Sequence, residues 1–180
     1  MNATRDSIKS AIRTILDFPK KGILYRDVTT LFKDPKGLRA TISEFTARYG
    51  DETIDVVVGI ESRGFIIGAI LAHELGVGFV PLRKKGKLPF NTLSESYDLE
   101  YGTDELEIHT DAIQKGSQVL IVDDLIATGG TLLAGIKLIE KVGGSVVETA
   151  CIVELPELKG RERIEECNTS LFSLVTFEGE

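Results

Sequence analysis

Apolar and polar positions along this chain follow two periods, and each switch between them marks an element boundary. Ile8, Ala11, Ile12, Ile15 and Leu16 recur at helical spacing, which predicts an amphipathic helix ended by Asp17-Phe18-Pro19. Lys20–Asp27 reads as irregular and leads into Val28–Phe32. Asp34-Pro35 supplies an N-cap and a first-turn proline to a second helix. Its apolar face is Leu38, Ile42, Phe45 and Tyr49, and Gly50 stops it. Ile54–Ile60 is a β-branched strand; Glu61-Ser62-Arg63-Gly64 then turns into a helix over Phe65–Leu75. Val77–Leu82 is the next core strand, and Arg83–Ser96 a long polar loop. Tyr97, Leu99 and Tyr101 alternate, as do Leu106 and Ile108 beyond Gly102-Thr103, which predicts an antiparallel hairpin. Val119–Asp123 is a strand, Thr131–Val142 its helix, Val146–Leu155 a further strand and Leu171–Val175 a last one. Strands that alternate with helices imply an α/β fold built on a doubly wound parallel sheet. No repeat, linker or low-complexity tract divides residues 1–180, so the expectation is a single domain.

The run Val119–Val122 is apolar throughout and ends in two adjacent carboxylates, Asp123 and Asp124. In open α/β sheets ligands bind at the carboxyl ends of the strands, which is where this pair falls. Ala127-Thr128-Gly129-Gly130-Thr131 follows, just before Leu132 and Leu133 open a helix. Small residues there let backbone N–H groups converge on an anion at the helix start. Carboxylates suit the hydroxyls of a sugar and the amide loop suits its phosphate, so the segment reads as a cradle for a ribose 5-phosphate.

Charge sharpens this picture. The chain carries a formal net charge of −7, which argues against a general nucleic-acid binder. An anionic ligand must then meet a local basic cluster, and Arg83-Lys84-Lys85-Gly86-Lys87 is the candidate. By itself such a run is a solvated loop; beside the acidic pair and the amide loop it becomes a site for an anion. The two cysteines, Cys151 and Cys167, lie far apart without Cys-x-x-Cys spacing, which points to a reducing cytoplasm rather than a disulfide framework. The N-terminus lacks the apolar core of a signal peptide, and the apolar stretch around Phe65–Ala72 is too short for a membrane span. His73 and His109 have no metal-ligand spacing.

Four blocks, covering nearly the whole chain, resemble the type I phosphoribosyltransferases. Asp17-Phe18-Pro19 with Ile23–Val28 is similar to their base-binding hood, and Gly59–Phe65 to their pyrophosphate loop. Arg83–Pro89 with Tyr97–Gly102 resembles their flexible catalytic loop, and Val119–Thr131 their motif for 5-phosphoribosyl pyrophosphate (PRPP). The second and fourth blocks are general to the family. The first and third, with Leu99-Glu100-Tyr101-Gly102, select the purine-salvage members that use adenine. A transferase for another purine base (xanthine, hypoxanthine or guanine) is the alternative.

The resemblance implies a hood over about residues 1–34, a mobile loop over about 83–109, and transfer of the 5-phosphoribosyl group from PRPP to adenine. The products are AMP and pyrophosphate, formed with inversion at C1 through an oxocarbenium-like state. Asp123 and Asp124 take the ribose hydroxyls; Ala127, Thr128, Gly129, Gly130 and Thr131 take the 5-phosphate. Glu61, Ser62, Arg63, Arg83, Lys84, Lys87 and Tyr101 face the pyrophosphate, with Arg63 aimed at the leaving group. The Glu61–Ser62 peptide is expected to be cis, although the family more often has Asp at the place of Glu61. Glu100 manages the proton of the base, in contrast to the solvated position usual for a hairpin glutamate. Leu24, Tyr25, Arg26 and Leu155 bound the adenine slot; Tyr25 stands where Phe is frequent, and Leu155 reads equally as a plain strand-end core residue. A backbone carbonyl near Arg26 accepts the exocyclic amine, which rejects a 6-oxo purine. Phe90 occupies a place where the family often has Gly. Mg²⁺ is expected to be bound mainly through PRPP, with no protein ligand assigned directly and Asp123 and Asp124 reaching the ribose hydroxyls directly or through its waters, and the assembly to be a homodimer.

Overall fold

The computed structural model describes residues 3–98 and 102–179. Helix α1 (Ala3–Ala11) leads into β1 (Arg13–Leu16) and β2 (Leu24–Asp27), which pair antiparallel as a separate ribbon with Arg13 opposite Asp27 and Leu16 opposite Leu24. Helices α2 (Thr29–Lys33) and α3 (Pro35–Tyr49) precede β3 (Val56–Ile60), α4 (Arg63–Leu75) and β4 (Gly78–Lys84). The hairpin β5 (Thr92–Asp98) and β6 (Thr103–His109) leads to β7 (Gln118–Ile126), α5 (Gly130–Lys141) and β8 (Ser145–Glu154). A single 3-10 turn (Pro156–Leu158), α6 (Gly160–Glu165) and β9 (Ser170–Thr176) complete the fold.

The main sheet has the order β5-β6-β4-β3-β7-β8-β9, parallel from β4 to β9 and antiparallel in the hairpin at one edge. Central strands covered on both faces read as apolar throughout, which is why Val56–Ile60 and Val119–Val122 show no polar alternation. Successive side chains still part to opposite faces. Val57, Leu120, Val122 and Ile152 pack with α4 and α3 around Ile67, Leu71 and Phe45. Val56, Val58, Val119 and Ile121 pack with α5 around Leu132, Ile136 and Ile139. The α/β doubly wound sheet read from the sequence is the one observed.

Helix α3 starts where expected, with the Asp34 carboxylate accepting from the amides of Lys36 and Gly37 at 3.2 and 3.1 Å. The N-terminal region departs from the sequence reading. The helix expected to reach Leu16 ends at Ala11, and residues 13–16 form β1. Ile15 is only half-buried and Leu16 is 69% exposed, so a longer helix would have no core to face. The β-branched pair Thr14-Ile15 favours extension. Cross-strand contacts complete the preference: Arg13 pairs with Asp27, and Arg26 Nη1 donates to Thr14 Oγ1 at 2.6 Å. Correspondingly, residues 24–27, expected to be irregular, are strand. The polar loop after Leu82 is also shorter than expected, because β4 continues to Lys84 and β5 begins at Thr92. No sequence pattern marks helix α6: its six residues, Gly-Arg-Glu-Arg-Ile-Glu, hold one buried apolar side chain, Ile164, too few to show a period.

Candidate active site

Strands β3, β4 and β7 deliver their last residues to one rim of the sheet. Beyond Ile60 the chain turns through Glu61-Ser62, whose peptide is cis, as expected, into Arg63, the first residue of α4. Helix α4 can approach β7 closely because residue 64 is glycine: a Cβ there would lie 2.7 Å from the Val122 carbonyl oxygen. That approach sets Arg63 beside the acidic pair, and its Nε meets Asp124 Oδ2 at 2.5 Å. Asp124 donates its amide to Asp123 Oδ1 at 2.8 Å. Asp123 is buried, and burial, reinforced by the neighbouring Asp124 charge, pushes its pKa well above the usual carboxylate range.

The loop from Ala127 to Thr131 closes this end of β7. Gly129 sits at φ +80°, a left-handed conformation that favours glycine, and caps α5. A cavity of about 500 Å³ opens over the loop. It is lined by residues 123–132 together with Glu61, Arg63, Lys84 and Tyr97. Every residue assigned to the sugar and its phosphate is therefore on one surface.

The basic run stands on the far side of Glu61. Glu61 Oε2 accepts from Arg83 Nε at 3.2 Å and from the Lys84 amide at 3.1 Å, and its other oxygen pairs with Lys87 Nζ. Burial works to raise the Glu61 pKa, but these partners outweigh it and hold the carboxyl below its ordinary value. Lys84 Nζ is drawn 2.8 Å from Asp104, and Lys85 Nζ 2.6 Å from Glu105. The cations expected to face a pyrophosphate are thus held by carboxylates of the chain itself.

A second cavity, of about 410 Å³, lies between the β1–β2 ribbon and the end of β8. Leu24, Tyr25 and Arg26 line it from the ribbon and Leu155 and Leu158 from the opposite wall, while Arg63, Leu125 and Ala127 line both cavities. The two spaces therefore meet at those three residues. Tyr25 is braced by the edge of Phe18, with ring centroids 5.1 Å apart at 78°. Leu155 is 8% exposed, as a strand-end core residue is, and also forms part of the cavity wall. The Arg26 guanidinium is anchored within the ribbon and the C-terminal segment, bonding Thr14 Oγ1 at 2.6 Å and the Glu178 carbonyl at 2.8 Å and lying 4.6 Å above the Phe177 ring. Asp27 fixes the base of the ribbon: Thr29 Oγ1 donates to it at 2.6 Å and Arg13 pairs with it, which lowers its pKa to about 2.

Glu100 and Tyr101 lie outside the described residues. The structure adds groups that the sequence did not nominate. Tyr97 lines the larger cavity; its place in an alternating strand was legible, its neighbours across the fold were not. Leu125 and Leu158 line the smaller one and read in the sequence as ordinary apolar residues.

A doubly wound sheet with an acidic pair, an amide loop and a cis peptide before an arginine at its carboxyl rim defines a class. The chain belongs to the phosphoribosyltransferase family, and a family model described as a phosphoribosyl transferase domain matches residues 28–179. Similar proteins within that family include adenine phosphoribosyltransferases. The enzyme of Nitrosospira multiformis is 60% identical over 172 residues, spanning 96% of this chain and 98% of that one. That of Prosthecochloris aestuarii is 58% identical over 175 residues, with 96% and 99% covered. The solved adenine phosphoribosyltransferase of Rhodothermus marinus superposes with a TM-score of 0.92 at 48% identity, covering 98% of this chain and 100% of its own. The Saccharomyces cerevisiae enzyme, complexed with an imino-altritol bisphosphate and adenine, gives 0.91 at 40% identity, with 97% and 100% covered.

Proposed function

We propose that this chain transfers the 5-phosphoribosyl group of PRPP to adenine, yielding AMP and pyrophosphate in purine salvage. The observation that carries the reading is the junction of the two cavities at Arg63, Leu125 and Ala127. A phosphate on the loop 127–131 and a purine between Tyr25 and Leu155 bring ribose C1 and the base nitrogen to that junction. Holding both reactants there turns a bimolecular displacement into an effectively unimolecular one. Asp123 and Asp124 orient the ribose diol. Charge grows on the departing pyrophosphate, and Arg63, Arg83, Lys84 and Lys87, with the backbone of Glu61-Ser62, offset it. Leu24, Tyr25 and Leu155 hold the purine plane, and a backbone carbonyl near Arg26 selects its amine. Glu100 accepts the proton that the attacking nitrogen must lose, and Tyr101 closes the lid over the phosphates.

PRPP would bring Mg²⁺ with it. Among the described residues no group of three or more His, Cys, Asp or Glu side chains could hold a metal, and two carboxylates fit a cation that keeps its waters and substrate oxygens. When bound, it supplies charge neutralisation on the phosphates, and Asp123 and Asp124 are the residues that would reach its shell.

The reading extends to a homodimer in the cytoplasm. Exposed Ile66, at the start of α4, and Phe90, beyond the basic run, are apolar surfaces that a second copy would cover; both cysteines are free, and no described helix is long and apolar enough to cross a membrane. Incubation with PRPP, Mg²⁺ and each of adenine, guanine, hypoxanthine and xanthine tests the reading. AMP formed from adenine alone supports it, and product from a 6-oxo purine alone contradicts the choice of base. Glu100→Gln is expected to lower kcat about 100-fold if it carries the proton; unchanged turnover removes it from the mechanism.

A further inference from the structure

A loop that presents amides to an anion must turn its carbonyls the other way, and those carbonyls need partners of their own. Behind the loop the Gly129 carbonyl accepts from the Leu133 amide of α5 at 3.0 Å, and the Thr128 carbonyl finds its partner on α6, the helix that no motif connects to the site. Arg163 Nη1 donates to the Thr128 carbonyl at 2.7 Å. Gly160 lies against the same loop: a Cβ on it would stand 2.3 Å from the Ala127 carbonyl oxygen, and a Cβ on Gly129 would stand 3.0 Å from the Gly160 carbonyl oxygen. Helix α6 is itself pinned to the sheet, because Arg161 grips Glu154 of β8 at 2.8 and 2.5 Å and the Leu171 carbonyl of β9 at 2.7 Å.

We propose that Arg163 and Gly160 are positioning residues for the 5-phosphate, acting through the back of the loop. In a planar trans peptide the Thr128 carbonyl and the Gly129 N–H point in opposite directions. A guanidinium on the Thr128 oxygen therefore fixes the Gly129 N–H toward the cavity. It also polarises that peptide, which strengthens the N–H as a donor to an anion. Gly160, lacking a Cβ, lets α6 come close enough for Arg163 to reach. The inference rests on the reading that this loop receives the 5-phosphate of PRPP.

Arg163 is exposed, so Arg163→Ala leaves the core intact and separates positioning from folding. Ribose 5-phosphate, which carries the phosphate and no base, is the calorimetric probe, with the KM values for adenine and PRPP measured alongside. Arg163→Ala is expected to weaken ribose 5-phosphate binding about tenfold and to raise the PRPP KM with it, leaving the adenine KM and the melting temperature near wild type. Arg163→Lys, which keeps a cationic donor, is expected to recover part of the loss. Wild-type affinity in Arg163→Ala overturns the proposal. So does a parallel loss of adenine and ribose 5-phosphate affinity accompanied by a fall in melting temperature. If the wild-type protein itself binds no ribose 5-phosphate, the parent reading fails and the proposal with it.

Discussion

Asp123 shows how far single residues here are placed for a ligand rather than for the fold. It is buried beside a second carboxylate, and burial together with that neighbour raises its pKa. The sign follows directly: a carboxyl harder to ionise in the fold than in the unfolded chain subtracts stability as pH rises above the ordinary value of 3.8. Asp123→Asn keeps the acceptor for the Asp124 amide and removes the ionisable carboxyl. The variant is expected to melt above wild type at pH 7, by roughly 2–4 °C for each kcal/mol recovered, while losing affinity for PRPP. A lower melting temperature at pH 7 contradicts this assignment. At this scale the sequence was most legible where chemistry and local geometry coincide. Asp123, Asp124, Gly129 and Arg63 could be named because a strand end, a helix start and a pair of acids are all local signals. Arg163 and Tyr97 could not, because what matters is the carbonyl or cavity each reaches across the fold.

Two elements flank the cleft, and each carries an electrostatic hinge point. In the β1–β2 ribbon, Asp27 is lowered to about pKa 2 by Thr29 and Arg13. Its contribution is fully present above about pH 4 and is lost as pH falls toward 2. Melting curves of wild type and Asp27→Asn are expected to converge over that interval, and a constant gap between them would contradict the role given to this carboxylate. Beside β4, Glu61 neutralises Arg83 and Lys87 and so competes with any anion for them. Glu61→Gln removes the competing charge, and pyrophosphate is expected to inhibit the variant at about threefold lower concentration in low salt, with the difference shrinking as salt rises. Weaker pyrophosphate binding in that variant would make Glu61 a support rather than a competitor. The ribbon departs from the sequence expectation for a physical reason. Ile15 and Leu16 match a helical period, but a period stabilises a helix only where a core receives it, and here the cross-strand partners of residues 13–16 decide the outcome.

At the scale of the whole molecule, the sheet order brings together segments far apart in sequence. Residues near 25, 63, 84, 127 and 155 meet because β3, β4, β7 and β8 run parallel and end at one rim, with the ribbon set across it. Buried parallel strands announce themselves as apolar runs, so the architecture is legible in the sequence. The junction of the two cavities is not, since it depends on how the ribbon and the segment from Leu155 to Leu158 are set against that rim. A crystal structure with AMP tests the central claim most directly, because the proposed pose has AMP span both cavities. The account predicts the phosphate on the amides of residues 127–131, the ribose hydroxyls on Asp123 and Asp124, and the purine between Tyr25 and Leu155. AMP bound elsewhere, or a phosphate away from that loop, contradicts it.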